Sequence, residues 1–370
     1  MDPPAVFCPK LACPARGHTG QGNIGSHSRK ATRFLCPECD KTCSATKGPA
    51  VDRLHTAAET VPLVGTVLAP GCPPHAMVAA LGFDERTVMR WLARGGVQGQ
   101  AVQAPLVEPP RALGQVHADA RRVKQQGGIG WMALAMMVRT RLWLAGEVSE
   151  HRDLALMRGL RERGRRCARP RPRWVCPEGL RAYVRAVRET WRDPVQAGAQ
   201  GRPRGRPWRP LCLAPGVKRY AQRCVVAVER RSVDGTPARV ETLRRRSQGD
   251  GVSNTADIER LHATCRERLA LLTRRGRALA RHTWTRRHGM SLIGTSDNFS
   301  TPHESLRDAH PAVGGAGVAR TPAMAAGMTN HCWTVQELLS LPVPPSRWTP
   351  PTQRGRPSRA LKRLVERTCA

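Results

Sequence analysis

The stretch QVHADARRVK-QQGG-IGWMALAMMV-RT-RLWLAGEV, residues 115–148, decides the fold class because it predicts three neighbouring β-strands. Residues 115–124 alternate between the two faces of a strand, and residues 129–138 and 142–148 are apolar runs of strand length. The turn Arg139-Thr140 separates the two apolar runs. We therefore expect a sheet at the centre of this part of the chain.

The pattern continues downstream with alternating helices and strands. Leu154, Met157 and Leu160 mark a helix, residues 173–176 a short buried strand, and residues 180–191 a second helix. Residues 217–233 have the composition of a further β segment. Strands followed by helix, strand and helix predict a mixed α/β layer.

Residues 254–266 predict the helix that closes this layer. Apolar residues recur there at steps of three and four, at Ile258, Leu261, Cys265, Leu269 and Leu272. Glu259 and Arg266 lie off this stripe and two turns apart, so both side chains project above one polar face. There the acid could hold a metal and the arginine a phosphate. Charges on a solvated helix face are the alternative interpretation.

Three acids come from separate elements of the predicted layer. Asp119 lies in the first strand, Glu178 directly follows the short strand, and Glu259 is on the closing helix. Nucleases and polynucleotidyl transferases use such carboxylates to hold two divalent ions, Mg²⁺ or Mn²⁺, about 3.5–4 Å apart. Acids at strand ends are also common in α/β domains without any such role.

The first four cysteines are paired in sequence and predict a zinc ribbon. Cys8 and Cys13 form one pair, and Cys36 and Cys39 form the other, with a possible hairpin between them. Tetrahedral Zn²⁺ takes four thiolates on short loops without needing a large core. Cys43 or His18 could replace one ligand, and the basic residues between the pairs could contact a DNA backbone.

Residues 72–95 predict a helix-turn-helix. Met77, Ala80 and Leu81 mark a short helix, Gly82 a turn, and Asp84 the N-cap of a second helix, in which Val88, Trp91 and Leu92 face inward. The residues expected to face a DNA groove are Arg86, Thr87, Arg90 and Arg94. Any helical hairpin would share the apolar pattern, so the basic outward face carries the DNA-binding interpretation.

Gly/Pro-rich segments predict linkers. Residues 97–114 include Pro105, Pro109 and Pro110. The repeated motif Arg204-Gly205-Arg206-Pro207 and Arg354-Gly355-Arg356-Pro357 is typical of low-complexity linkers, with minor-groove hooks as the alternative. In both interpretations we expect these segments to be flexible without DNA.

The charge balance favours a polyanionic partner. Lys plus Arg number 61 against 28 Asp plus Glu, for a formal net charge of +33, and arginine is suited to bidentate phosphate contacts. Nucleic acid is the expected partner; an anionic membrane surface or a genome rich in Arg codons is the alternative. The chain has no run apolar enough to span a bilayer and no signal peptide, so we expect a cytoplasmic, nucleoid-associated protein with no membrane contact and with 13 reduced cysteines.

Several motifs occur together in one order. They are Cys36-Pro-Glu-Cys39 with Thr46-Lys47-Gly48, the run GFDERTV at 82–88, Ala118-Asp119, NTADIERL at 254–261 and TPAMAAG at 321–327. In this order they resemble the insertion sequence 1 family of transposases over nearly the whole chain. The resemblance implies a zinc ribbon and a helix-turn-helix that bind terminal inverted repeats, followed by a ribonuclease-H-like catalytic domain of the DDE class.

The resemblance also implies a domain order and roles for residues. The expected segments are a zinc ribbon (1–50), a helix-turn-helix domain (51–96), a linker (97–114), the catalytic domain (115–307) with a basic insertion near 196–210, and a basic Pro-rich region (308–370). Asp119, Glu178 and Glu259 would hold Mg²⁺ or Mn²⁺ for DNA strand cleavage and strand transfer, and Arg266 would position a phosphate. Because two element ends are held together, at least a dimer on DNA is expected.

The chain departs from the family pattern at three positions. Glu178 after Pro177 stands where the family has Asp, Ala120 where a second acid is frequent, and Asp257 where a tyrosine is usual. A catalytically decayed transposase and a zinc-dependent DNA-binding regulator therefore remain alternatives to the enzyme. An RNA-binding basic protein is a third.

Overall fold

The structure is a computed structural model that divides into two compact units, each described by itself. The first unit is Met1–Pro62 with Leu339–Ala370, and the second is Leu63–Leu338. The structure describes residues 6–30, 32–44, 49–52, 54, 56–57, 59–168, 174–177, 181–195, 204–208, 211–222, 224–230, 232–248, 256–269, 282–308, 317–345, 358–359, 362–363 and 366.

The first unit is built on a three-stranded antiparallel sheet. Its strands β1 (Gly25–Ser28), β2 (Arg33–Cys36) and β3 (Lys41–Ser44) are neighbours in sequence order. The apolar cluster beneath them is small, with Phe34 and Ile24 as its larger members alongside several cysteines. So small a core does not readily stabilise an independent unit by burial alone, which favours added cross-linking by a metal.

The later segment of the chain returns to this sheet unit. The amide of Ala50 donates to the carbonyl of Leu339 at 3.2 Å. Gly17 has φ +72°, and a Cβ atom there would lie 2.3 Å from the carbonyl oxygen of Pro345, so only glycine fits this approach. Residues far apart in sequence therefore complete one unit.

The remaining elements follow in chain order. They are α1 (Thr60–Leu68), α2 (Pro74–Leu81), α3 (Glu85–Leu106), β4 (Gln115–Gln125), β5 (Gly128–Met137), β6 (Trp143–Ser149), α4 (Leu154–Arg166), β7 (Trp174–Pro177), α5 (Arg181–Thr190), β8 (Arg192–Val195), β9 (Arg204–Pro207), β10 (Cys212–Leu213), β11 (Gly216–Ala221), β12 (Cys224–Arg230), α6 (Pro237–Gln248), α7 (Ala256–Arg268), α8 (Thr283–Ser300), β13 (His303–Asp308), β14 (Val318–Arg320), α9 (Pro322–Ala325) and α10 (Val335–Ser340).

The helical hairpin predicted before residue 95 is present as α2 and α3. Gly82 adopts the left-handed conformation at the end of α2, and Asp84 accepts a hydrogen bond from the Thr87 amide at 3.2 Å as the N-cap of α3. Val88, Trp91 and Leu92 are buried, as the sequence predicts.

The linker predicted at residues 97–114 is wrong for its first part, because α3 continues to Leu106 and includes Pro105. Gly96 and Gly99 lie against α8, where a Cβ at Gly96 would be 2.3 Å from the carbonyl oxygen of His288. Close helix packing through glycine therefore compensates for the low helix propensity of this segment.

The central sheet of the second unit has the order β10-β7-β4-β5-β6. Strands β4, β5 and β6 form an antiparallel meander, as predicted from residues 115–148. Strand β7 is parallel to β4, with Pro177 opposite Ala118, and β10 is parallel to β7. The sheet is therefore mixed, with its parallel strands on one side of the meander.

Helices cover both faces of this sheet. Ala118 and Ala120 of β4 point to the face that packs on α4 and α5, through Leu156, Met157 and Leu160. Alternation along a strand sends Asp119 to the opposite face, where α7 packs on β4 and β5 and α8 packs on β6. The predicted mixed α/β layer with flanking helices is thus confirmed.

Helix α8 was not predicted, and its composition explains why. Among its buried residues are Thr285, Arg286, Ser291, Asp297 and Asn298, so it lacks an amphipathic stripe. The side chain of Asn298 accepts from the Trp143 amide at 2.8 Å and donates to the Trp143 carbonyl at 2.9 Å. Such polar pairing allows residues 289–299 of the helix to be buried without interruption.

Outside the central sheet, the described strands of the second unit include two-stranded antiparallel pairs. The β segment predicted at residues 217–233 is the antiparallel pair β11–β12. The linker predicted at Arg204-Gly205-Arg206-Pro207 is instead strand β9, paired with β8, because Arg204–Pro207 finds backbone partners in Arg192–Val195. Arg354 and Arg356 lie outside the described residues.

In the part of the chain that the structure describes, no helix combines the length and apolar character needed to cross a bilayer.

Candidate functional site

Four cysteine thiols of the first unit converge on one point. The Sγ atoms of Cys8, Cys13, Cys36 and Cys39 all lie within 4.8 Å of one another. Cys8 and Cys39 are 3.7 Å apart, and Cys13 and Cys36 are 3.8 Å apart. Four thiolates around a tetrahedral Zn²⁺ with bonds of about 2.3 Å have neighbouring sulfurs about 3.8 Å apart. The predicted cysteine set is thus confirmed, and its geometry fits zinc.

Tight turns hold these thiols together. The Cys36 carbonyl accepts from the amides of Cys39 and Asp40, at 3.3 and 2.9 Å, and Asp40 has a positive φ of 52°. The thiol of Cys43, considered as a replacement ligand, instead donates to the carbonyl of Phe7 at 3.7 Å. His18, the other replacement considered, is outside the cluster found among the described residues.

Burial opposes deprotonation of two of the four thiols. Burial raises the pKa of Cys8 and raises that of Cys13 to about 11, whereas hydrogen bonds from the neighbouring backbone and thiols lower the pKa of Cys39 against the effect of its burial. Since zinc binds thiolates, its binding must release protons from this site.

A second cluster joins β4 to α7 in the second unit. The Asp119 carboxylate accepts from Arg121 Nε at 2.9 Å, and the same guanidinium lies 3.4 Å from the carboxylate of Glu259. Asp119 also accepts from the Ala120 amide at 2.8 Å. Two of the three predicted acids are therefore brought together, with Arg121 in contact with both.

Exposure differs among the three side chains. The Asp119 side chain is 7% exposed, whereas Arg121 is 39% exposed and Glu259 38% exposed. Asp119 therefore forms the floor of the cluster, while the Arg121 guanidinium can move into solvent without breaking the core.

His262, on the same helix as Glu259, completes the cluster. Its Nε2 atom lies 3.3 Å from the backbone oxygen of Asp119 and 3.8 Å from its carboxylate. Burial, with smaller contributions from the charges of Arg121 and Arg266, lowers the pKa of His262 to about 4 against the opposing effect of Asp119. The imidazole is therefore neutral at neutral pH, and Nε2–H donates to the Asp119 carbonyl.

The other predicted site residues are placed as follows. Arg266 is half-buried on α7 and near enough for its charge to act on His262. Glu178 lies outside the described residues. Strand β7, which it follows in sequence, ends at Pro177 opposite Ala118, one residue before Asp119.

The sequence prediction missed Arg121 and His262. A signal for each existed: Arg121 is two residues from Asp119 on the same strand face, and His262 is three residues from Glu259 on one helix face. Which of the many arginines lies between the acids depends on how α7 packs on β4, and sequence spacing does not give that.

The carboxylates of Asp119 and Glu259 are of the ligand type that Mg²⁺ binds in proteins. Mg²⁺ prefers oxygen ligands and is commonly held by one or two protein carboxylates with water and substrate phosphates. Asp119 and Glu259 supply two such groups. Arg121 lies against both, so an ion that bridged them would replace its guanidinium.

The predicted DNA-facing residues of α3 lie at or near the surface. Arg86 and Arg90 are exposed, while Thr87 and Arg94 are half-buried. Arg206 of β9 is exposed, and the side chain of Arg204 lies outside the described residues. The basic outward face of α3 expected from the sequence is thus present at its two exposed arginines.

No protein-family model matches the chain, and no curated protein is detectably similar to it in sequence.

Proposed function

We propose that the chain is a DNA transposase of the DDE class that binds element ends and catalyses metal-dependent strand cleavage and strand transfer. The observation that carries the proposal is the meeting of Asp119 and Glu259, from β4 and α7, at the face of a mixed sheet. These are the acids that the resemblance to the insertion sequence 1 family places first and third.

The sheet supports a ribonuclease-H-like catalytic domain. An antiparallel meander extended by two parallel strands beside its first strand, with helices on both faces, is the arrangement expected of that fold. In it the first strand carries an acid at the sheet centre, and Asp119 has that position. Glu178 directly follows Pro177 of β7 in sequence, and in the proposal it is the second acid.

The acids would hold Mg²⁺ or Mn²⁺, which when bound would lower the pKa of water for strand cleavage and stabilise the leaving oxygen. The chain's own residues would prepare that site. His262, neutral and buried, fixes the backbone of Asp119. Arg121 would neutralise the two acids in the absence of a cation. Arg266, on the polar face of α7, would position a DNA phosphate.

The two predicted DNA-binding modules would supply end recognition. The four clustered cysteines fit a zinc ribbon, and α3 presents Arg86 and Arg90 at its exposed start. Phosphate contacts from such arginines position a protein on duplex DNA, whereas base contacts in the groove specify the sequence. In the proposal, these modules bind inverted repeats and the second unit acts on their ends.

A cleavage assay on DNA that carries the sequences flanking the reading frame tests the proposal. With Mg²⁺ or Mn²⁺, the protein is expected to free 3′-hydroxyl ends and join them to a target duplex. Glu259→Gln should lower this activity by more than about 100-fold, because loss of a group that only orients a metal ligand commonly costs no more than about 100-fold. Glu267→Gln, an exposed change on the same helix, should retain it.

A DNA-binding regulator without catalysis is the second candidate. The ion pairs of Arg121 with Asp119 and Glu259 favour it, because a guanidinium between the acids neutralises them without any metal. Tight binding of flanking DNA with no cleavage by the unaltered protein under any divalent metal would refute the enzyme and leave this candidate.

A further inference from the structure

A cavity of about 490 Å³ lies beside the parallel edge of the central sheet. Its walls come from α5, the β8–β9 hairpin, β10 and the start of α6, and include Arg188, Trp191, Arg192, Trp208, Cys212 and Arg239. Asp119, Arg121, Glu259 and His262 are not among its lining residues. The volume is within the range of pockets that hold a small organic ligand, about 300–1,000 Å³.

Positive charge exceeds negative charge around this cavity. Arg188 is neutralised by Asp234 through hydrogen bonds of 3.1 and 2.9 Å. Arg192 and the exposed Arg239 line the cavity as well, and neither forms an ion pair with a described carboxylate. An anion entering the cavity therefore meets two guanidinium groups that can bind it.

Two more arginines lie behind the tryptophan walls. The guanidinium of Arg161 is 6.0 Å from the ring centre of Trp191, and that of Arg165 is 5.8 Å from the ring centre of Trp208. Arg161 is 2% exposed, and its Nε and one terminal nitrogen have no hydrogen-bond partner within the described ranges. Burial lowers the pKa of Arg161 to about 10, so it keeps its charge at neutral pH. These charges add to the attraction of the cavity for an anion.

The indole N–H of Trp191 is a buried donor. Trp191 is 2% exposed, and its Nε1 has no acceptor in the described part of the chain. The neighbouring Trp208 differs, because its Nε1 donates to Asp193 at 2.9 Å. Trp191 therefore contributes its indole ring, and not this sealed N–H, to the wall of the cavity.

We propose that this cavity binds one nucleotide, with its base against the apolar wall of Trp191 and Trp208 and its phosphate held by Arg192 and Arg239. Aromatic walls suit any base, and arginine forks suit phosphate. The nucleotide can be free or can belong to a single DNA strand, since both present the same base and phosphate. The site requires neither the acids nor the metal of the proposed catalysis.

Binding to the full-length protein without added Mg²⁺ tests the site. The probes are dAMP, deoxyadenosine, inorganic phosphate and an eight-nucleotide single strand of deoxyadenylate, titrated by calorimetry. We expect dAMP to bind at least about 10-fold more tightly than either deoxyadenosine or phosphate, because only dAMP uses both walls. Equal binding of phosphate and dAMP would overturn the proposal.

Variants assign the binding to the cavity. Arg239→Gln changes an exposed side chain and should weaken dAMP binding at least about 10-fold, whereas Arg246→Gln, exposed farther along α6, should leave it unchanged. Trp191→Phe keeps a ring on Arg161 but makes the aromatic wall of the cavity smaller, and it should also weaken binding. Unchanged binding in both Arg239→Gln and Trp191→Phe would refute the site.

The single strand identifies the source of the nucleotide. Binding of the strand at least about 10-fold tighter than dAMP, lost in Arg239→Gln, would assign the site to DNA; equal binding would assign it to free nucleotides. Because the assay contains no catalytic metal, a failed cleavage assay does not affect this result, and nucleotide binding does not establish cleavage.

Discussion

His262 links the closing helix to the strand that carries Asp119. Its ring is fully buried and donates to a backbone carbonyl, so it acts on the position of Asp119 rather than on its charge. Burial keeps the imidazole neutral, because a charged ring at this position would lose its hydration, and the charges of Arg121 and Arg266 act in the same direction. At the scale of single residues, the site depends on one histidine staying unprotonated.

This requirement predicts acid sensitivity. Burial lowers the pKa of His262 from 6.5 to about 4, so the unfolded chain binds the proton more readily than the folded chain. The contribution of His262 to the free energy of unfolding is complete above pH 6.5 and is lost as the pH falls toward 4. The loss between pH 7.5 and pH 5 is about 2 kcal/mol. Urea unfolding of the second unit at both pH values measures it.

The variant His262→Gln isolates this effect. It can still donate to the Asp119 carbonyl but does not titrate, so its unfolding free energy should change less between the two pH values than that of the unaltered protein. A variant with the same loss on acidification would show that other groups cause it. His331→Gln, an exposed histidine, serves as the control and should retain the full loss.

The positions of site residues could be predicted where they depend on neighbouring residues in the sequence. The four cysteines come together because each pair lies on one short loop, and Glu259 lies on the polar side of α7 because of its helical phase. Arg121 could not be singled out, because a chain with 61 Lys plus Arg offers many equivalent candidates. Its contact with Glu259 exists only once α7 packs on β4.

The pairing of α3 with α8 shows what decides structure at the scale of elements. Glycines at positions 96 and 99 of α3 allow the two backbones to approach, and no sequence periodicity marks α8 as a helix. Strand β4 was predictable from its alternation, and β5 and β6 from their continuous apolar runs. Helix α8 and the end of α3 were not, because their stability comes from each other rather than from local preference.

Two glycine-to-alanine changes should therefore have opposite effects. In Gly96→Ala the new Cβ would lie 2.3 Å from the carbonyl oxygen of His288, so we expect a loss of about 1–3 kcal/mol in unfolding free energy. At Gly164 of α4 a Cβ meets nothing within 4 Å, so Gly164→Ala should gain about 0.5–1 kcal/mol from helix preference. Chemical denaturation of both variants provides the measurement. Equal effects of one sign would contradict the packing described for α3 and α8.

At the scale of the whole molecule, the chain combines a unit with four cysteines placed to hold a metal with one that has a larger apolar core. The first unit has a small core surrounding four cysteines, whereas the second has a sheet covered on both faces. Their stabilities should therefore respond to different treatments. The whole chain carries a formal net charge of +33, so any affinity for DNA is expected to fall steeply as salt is added.

Removing zinc should unfold the first unit selectively. After treatment with a strong chelator, we expect amides of β1–β3 to lose protection from hydrogen exchange while those of β4 and β5 keep it. Cys36→Ser should give the same result and lower the zinc content, whereas Cys43→Ser, a buried thiol outside the cluster, should retain zinc. Full protection of β1–β3 without metal would contradict a structural zinc site.

The return of residues 339–345 to the first unit has a consequence for synthesis on the ribosome. The ribbon emerges first, but its partners Leu339 and Pro345 emerge only after every element of the second unit has been translated. Co-translational folding proceeds from the N-terminus, so the first unit begins to form earliest and is completed last. A prematurely terminated polypeptide would carry the cysteines without the segment that contacts Gly17 and Ala50. Completion of the first unit therefore depends on translation having reached residues 339–345.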